Sequence, residues 1–295
     1  MTAARPVPPT PGGPGALAAL LPDGRLHLQH GPIDIIAQAF GPAPAVRAAH
    51  ARAAARFASV LPELVSELPA LRQPNAAVRG TVAQRMAGAV QPFRPAFITP
   101  MAAVAGAVAE EVVAALAGPG ISRAYANNGG DIALHLTAGH SLTCALAVTG
   151  GQDRVTLRAE DPVRGIATSG WRGRSFSLGI ADAVTVLART AAMADAAATM
   201  IANAVDLPGH PAIRRRPARD LQADSDLGDR AVTVEVGPLD RPDRDHALAA
   251  GLRLAADLHR RGLIEAAALF LQGSIQTTGP LALAPAGPAS EERHD

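Results

Sequence analysis

Between Arg25 and Gly41 the chain reads RLHLQHGPIDIIAQAFG. Apolar and polar residues alternate, break at Gly31-Pro32 and then run apolar, which predicts two strands around a turn. From Ala43 to Leu71 the period changes. Phe57, Val60, Leu61, Leu64, Val65 and Leu68 recur at helical spacing, with Pro62 expected to kink or split the helix. Thr81 to Val90 is a shorter helix. Thr99 is the expected N-cap of a further helix with Pro100 at its first position. That helix, MAAVAGAVAEEVVAALAG, is small on nearly every face before Glu110, so it is expected to pack tightly against a sheet. Strands are then predicted at Ser122–Ala126, Ile132–Leu136, Ser141–Val148, Arg154–Ala159, Asp182–Ala188 and Ala231–Val236. Helices are predicted at Ala191–Val205 and Asp245–Arg261.

This succession predicts one α+β domain with mixed or antiparallel sheets and packed Ala-rich helices. The Pro/Gly-rich residues 1–23 and the residues 285–295 are expected to be disordered tails flanking a domain at 24–284. Only 3% of residues are aromatic while 48% are hydrophobic, so the core must be built from Ala, Leu, Val and Ile. The chain contains no lysine, which excludes a lysine Schiff base and a lysine phosphate clamp. A formal net charge of +1 and the lack of an aromatic-basic surface argue against nucleic acid. The cluster Arg214, Arg215, Arg216 and Arg219 is expected to be a solvated loop after a helix. No stretch is apolar and long enough to span a bilayer, and the Pro/Gly-rich lead, without a basic-then-apolar order, argues against the expectation of a secretory signal. A cytoplasmic protein is expected, with a homodimer as the expected assembly for an Ala-rich surface. The one cysteine, Cys144, lies in an apolar run and is expected to be a buried, inert thiol.

Three stretches carry candidate chemistry. ANNGGDIAL (126–134) is a hairpin turn, because Asn-Gly and Gly-Gly supply positive φ, or a loop whose bare backbone admits a ligand. GIATSGWRGRSF (165–176) places Thr168, Ser169 and Gly170 at the end of an apolar run, as a turn or as hydroxyl and N–H donors to an anion. ADAAAT (194–199) puts Asp195 and Thr199 one helical turn apart, roughly 5–6 Å at Cβ. There they either serve a nearby backbone group and the core, or reach one hard cation together.

Taken in order, Gly129-Gly130-Asp131, Ala167-Thr168-Ser169-Gly170, Ala183-Val184-Thr185-Val186 and Ala194-Asp195-Ala196 with Thr199 resemble the ApbE superfamily. ApbE proteins transfer FMN from FAD to a Thr or Ser of target proteins with Mg²⁺. FITPMAAVAGAVAE (97–110) and NNGGDI (127–132) resemble most closely its UPF0280-type branch. The resemblance implies an ApbE-like, T-fold-related domain. Its cleft would be lined by Asn127, Asn128, Gly129, Gly130 and Asp131, with Thr168, Ser169 and Gly170 opposite, and Asp195 and Thr199 would hold Mg²⁺. FAD or another nucleotide would be the anionic small-molecule ligand. The flavin transferases carry a His-Ile-Ile-Asp-Pro-Arg-Thr-Gly type segment after the Ala-Thr-Ser-Gly motif. Here the interval WRGRSFSLGIAD has no histidine, so the resemblance speaks for the fold and cleft rather than for FMN transfer. Asp182 is the nearest acidic candidate for a general base. Two expectations stand side by side: a transferase-like enzyme with Mg²⁺-dependent ligand binding, and a non-catalytic cofactor-binding or partner subunit of a metabolic enzyme assembly.

Overall fold

The computed structural model describes residues 15–75, 77–145 and 154–280, together with the backbone of residues 5–6. The strands are β1 (Arg5–Pro6), β2 (Leu17–Leu20), β3 (Leu26–His30), β4 (Ile33–Phe40), β5 (Arg123–Asn128), β6 (Asp131–Leu136), β7 (Ser141–Ala145), β8 (Arg154–Arg158), β9 (Gly165–Ser169), β10 (Ala183–Ala188), β11 (Ile213–Pro217), β12 (Ala231–Val236), β13 (Ala266–Leu271) and β14 (Ser274–Thr278). Ten of them form one sheet in the order β1-β2-β3-β4-β5-β6-β9-β10-β13-β14, antiparallel throughout. The pairs β7–β8 and β11–β12 stand apart as two-stranded ribbons. The architecture is α+β in a single domain.

The helices are α1 (Ala43–Ser66), α2 (Leu68–Leu71), α3 (Thr81–Val90), α4 (Val104–Leu116), α5 (Ala191–Ala204), α6 (Ala218–Leu221) and α7 (Arg241–Arg260). One face of the sheet is covered by helices. α1 lies on β3 and β4, α4 on β5 and β6, α5 on β9 and β10, and α7 on β13 and β14. Strand alternation sends every second residue into this layer: Ile33, Ile35, Ala37 and Ala39 from β4, Ala124 and Ala126 from β5. On the other face a smaller apolar cluster joins Leu134, Leu136, Ile166, Leu187 and Phe270 to Leu157 of the β7–β8 ribbon. Each buried methyl contributes only about 0.8 kcal/mol, so an alanine-built core depends on close approach. Gly106 shows how close: a Cβ there would lie 2.2 Å from the carbonyl oxygen of Ala191. Its absence lets α4 touch the first turn of α5.

The chain departs from its pattern in several places. Leu17–Leu20 is a strand paired with β3, so the ordered domain begins before residue 24; most of the expected tail and all of 285–295 lie outside the described residues. α1 runs through Pro62 to Ser66, so the proline, one turn from the end, does not split the helix. Thr99 makes no side-chain cap bond; its hydroxyl donates to Asp226. Arg214, Arg215 and Arg216 belong to β11, where Arg214 pairs with Glu235 and Arg215 with Asp206, so the cluster is a strand and not a loop. Part of the strand expected at Ser141–Val148 also lies outside the described residues. Among the described residues no helix is long and apolar enough to cross a membrane.

Candidate functional site

The Asn-Asn-Gly-Gly-Asp stretch is a two-residue hairpin loop. Asn128 pairs with Asp131 across the β5–β6 ladder, and Gly129 and Gly130 turn the chain at φ of +67° and +115°, conformations that side chains with a Cβ resist. The Asn127 Oδ1 accepts the Gly130 N–H at 2.8 Å, closing the turn. Asn128 points the opposite way, into the helix layer, and its Nδ2 donates to the Ala105 carbonyl at 3.1 Å. One asparagine therefore builds the turn, and the other ties it to the start of α4.

α5 is fixed at its N-terminus from two sides. Thr190 accepts the Met193 N–H at 3.2 Å, as a helix cap does. Glu110 of α4 accepts the Ala192 N–H at 2.7 Å and pairs with Arg85 at 3.0 Å. These ties bring Asp195, one turn into α5, against the first turn of α4, where its Oδ2 accepts the Gly106 N–H at 3.0 Å. The Asp131 Oδ1 accepts the Thr168 N–H at 3.2 Å. Both carboxylates open on the same cleft and are otherwise enclosed by protein. Burial pushes Asp131 up to about 7, with the Thr168 N–H and the Arg174 charge pulling back. Asp195 is pushed well above the usual carboxylate range, first by burial and then by the charge of Asp131.

The cleft encloses about 580 Å³. Asn128, Gly129 and Asp131 line one side, and Thr168, Ser169 and Gly170 continue from it. Asp195 and Thr199 line the same space. Eight of the residues singled out in the sequence thus meet in one place. Asn127 and Gly130 do not line it. Nor does Asp182, the candidate base: its Oδ1 accepts from Trp171 Nε1 at 3.2 Å and Arg172 Nε at 3.1 Å, and its Oδ2 from the Gln272 N–H at 2.6 Å. It joins β10 to the β13–β14 turn. Arg72, Gln222 and residues 224–227 also line it and carry no sequence signal, and Arg172 and Arg174 lie in the 165–176 stretch without any pattern that marks them. Cys144 is half-buried on the β7–β8 ribbon with its thiol pushed up to about 11 by burial.

Among the described residues no three His, Cys, Asp or Glu side chains converge on one point. The donor set is instead two mutually repelling carboxylates and the Thr199 hydroxyl. All are hard oxygen donors, as Mg²⁺ prefers, and they leave coordination positions for ligand oxygens or water. In donor chemistry the three residues suit a hard divalent cation.

An α+β domain with an acidic, glycine-edged cleft between an antiparallel sheet and its helix layer is the class these features define. The chain belongs to the family described as AbpE bacteria, whose model matches residues 18–277. It is similar to a UPF0280 protein of Methanococcoides burtonii, 36% identical over 107 residues, which cover 34% of this chain and 43% of that protein. A UPF0280 protein of Methanothermobacter thermautotrophicus is 42% identical over 98 residues, covering 32% of this chain and 37% of the relative. The chain spans less than half the length of these curated relatives in the aligned parts.

Proposed function

We propose that the protein binds an anionic small molecule in this cleft with the help of a divalent cation held by Asp195 and Thr199 and faced by Asp131. The observation that carries the reading is the enclosure of Asp131 and Asp195 together, each lifted above the ordinary carboxylate range. Ionised together, two such groups repel; without a cation a proton relieves that repulsion, and a bound cation would take the proton's place. Mg²⁺ supplies charge neutralisation to the bound anion. Asp195 is aimed by the Gly106 N–H, Asn128 holds the turn against α4, and the Gly129 backbone leaves room at the cleft wall. The order of the motifs, shared in outline with ApbE proteins, supports a nucleotide such as FAD as an occupant to test first. Asp182, with its oxygens already engaged, positions the wall of the cleft.

The test is a titration of the protein with Mn²⁺ alone, and with FAD in the presence and absence of Mg²⁺. Asp195→Asn keeps an acceptor for the Gly106 N–H but removes the charge. It is expected to weaken Mn²⁺ binding by about tenfold or more with the fold intact by circular dichroism. Unchanged Mn²⁺ affinity in this variant removes the cation site. Flavin fluorescence that never responds leaves the cation site standing and excludes FAD as the ligand.

A further inference from the structure

The charged side chains of the cleft are nearly all matched within the protein. Arg72 pairs with Asp224 at 2.6 Å. Arg172 pairs with Asp182 at 3.1 Å and lies over the Trp171 ring, 4.8 Å from its centroid. Asp226 accepts the Thr99 hydroxyl. Asp131 and Asp195 are the pair assigned to the cation. Arg174 is the exception. It lines the cleft and is exposed; it makes no ion pair or hydrogen bond among the described residues, and its charge reaches Asp131 only at longer range.

Its position is set by the turn. A Cβ on Gly129 would lie 1.7 Å from Nη2 of Arg174 and 2.8 Å from its Cζ. The guanidinium therefore rests where any other residue would place its side chain. The glycine that turns the chain also makes the seat for this arginine. A guanidinium presents five donors in a rigid plane and grips carboxylates and phosphates with two parallel bonds. It keeps its charge at every working pH.

We infer that Arg174, seated on Gly129 at the mouth of the cleft, is the residue that recognises the ligand's oxyanion, a phosphate or carboxylate group that the cation contacts from the other side. This rests on the cleft reading above and narrows the ligand to molecules with oxyanion groups enough for both partners: a diphosphate or a di- or tricarboxylate.

The experiment measures three things on the full chain: Mn²⁺ affinity alone, and calorimetric affinity for inorganic pyrophosphate and for citrate, each with and without Mg²⁺. Wild type is expected to bind one of the two anions, and which one separates the phosphate from the carboxylate source. Arg174→Ala is expected to weaken that anion by about tenfold or more while Mn²⁺ affinity and melting temperature stay as in wild type. Arg174→Lys, which keeps the charge and loses the fork, is expected to fall between them. Wild-type anion affinity in Arg174→Ala, or no binding of either anion by wild type, overturns the inference. Absent Mn²⁺ binding in wild type instead overturns the cation reading, and the metal-free anion titrations then still decide the role of Arg174.

Discussion

Asp131 and Asp195 each bring a negative charge to a place that resists it. In the cation-free protein this has a direct consequence for stability. The folded state keeps a proton on Asp131 up to about pH 7, whereas the unfolded chain releases it near 3.8. Across that window the folded state binds more protons, so stability falls as pH rises and the penalty is complete above pH 7. Asp131→Asn removes the penalty and still accepts the Thr168 N–H. It is expected to raise the melting temperature measured in chelator at about pH 8, by up to a few kcal/mol in stability, and to give no advantage near pH 4. Equal gains at both pH values would show that burial does not hold the proton. At this scale much of the site was legible, because NNGGD and ADAAAT each pack their chemistry into a few consecutive residues. Arg174 was not. A lone exposed arginine looks the same whether it faces solvent or a turn of two glycines from another part of the chain.

The meeting of α4 and α5 governs the site at the level of elements. Gly106 faces the Ala191 carbonyl with no room for a methyl group, and the obstacle is backbone that cannot swing aside. Gly106→Ala is expected to lose about 1–3 kcal/mol in chemical denaturation. It should also weaken Mn²⁺ binding, since the Gly106 N–H that aims Asp195 moves with the helix. A variant as stable as wild type would mean that the helices separate freely. The helices themselves were readable from their period, as α3 and α5 show. α7 starts at Arg241 rather than Asp245, with Asp240 accepting the Asp243 N–H at 2.9 Å; its polar first turn hid the start. β9 and β13 were invisible for another reason. Every residue of β13, AAALFL, is buried, because helices cover one face and the second apolar cluster the other. A run without alternation has no strand period to detect.

Across the whole molecule the sheet follows chain order, with two departures. Between β6 and β9 the chain leaves to form the β7–β8 ribbon, and between β10 and β13 it leaves for α5, the β11–β12 ribbon and α7. The β7–β8 ribbon rests on a small cluster with exposed flanks. Hydrogen exchange is expected to be at least about tenfold slower for amides of Ala266–Leu271 than for those of Ser141–Ala145. Equal protection would mean that the ribbon opens only when the whole domain does. The single-domain α+β class was readable from the succession of periods. The joining of β6 directly to β9 was not, because it depends on residues far apart in the chain.

The uniform antiparallel pairing has one more consequence, for the electric field in the cleft. Peptide dipoles of neighbouring strands point in opposite directions and cancel. The large sheet therefore contributes almost nothing to the potential felt by a ligand. What remains is the positive end of α4 and the charged side chains of the lining: Asp131, Asp195 and Arg174, with Asp226 and the ion-paired Arg72, Arg172 and Asp224. A scaffold so quiet leaves the sign and strength of that potential to a handful of side chains, each of which can be changed without recasting the fold.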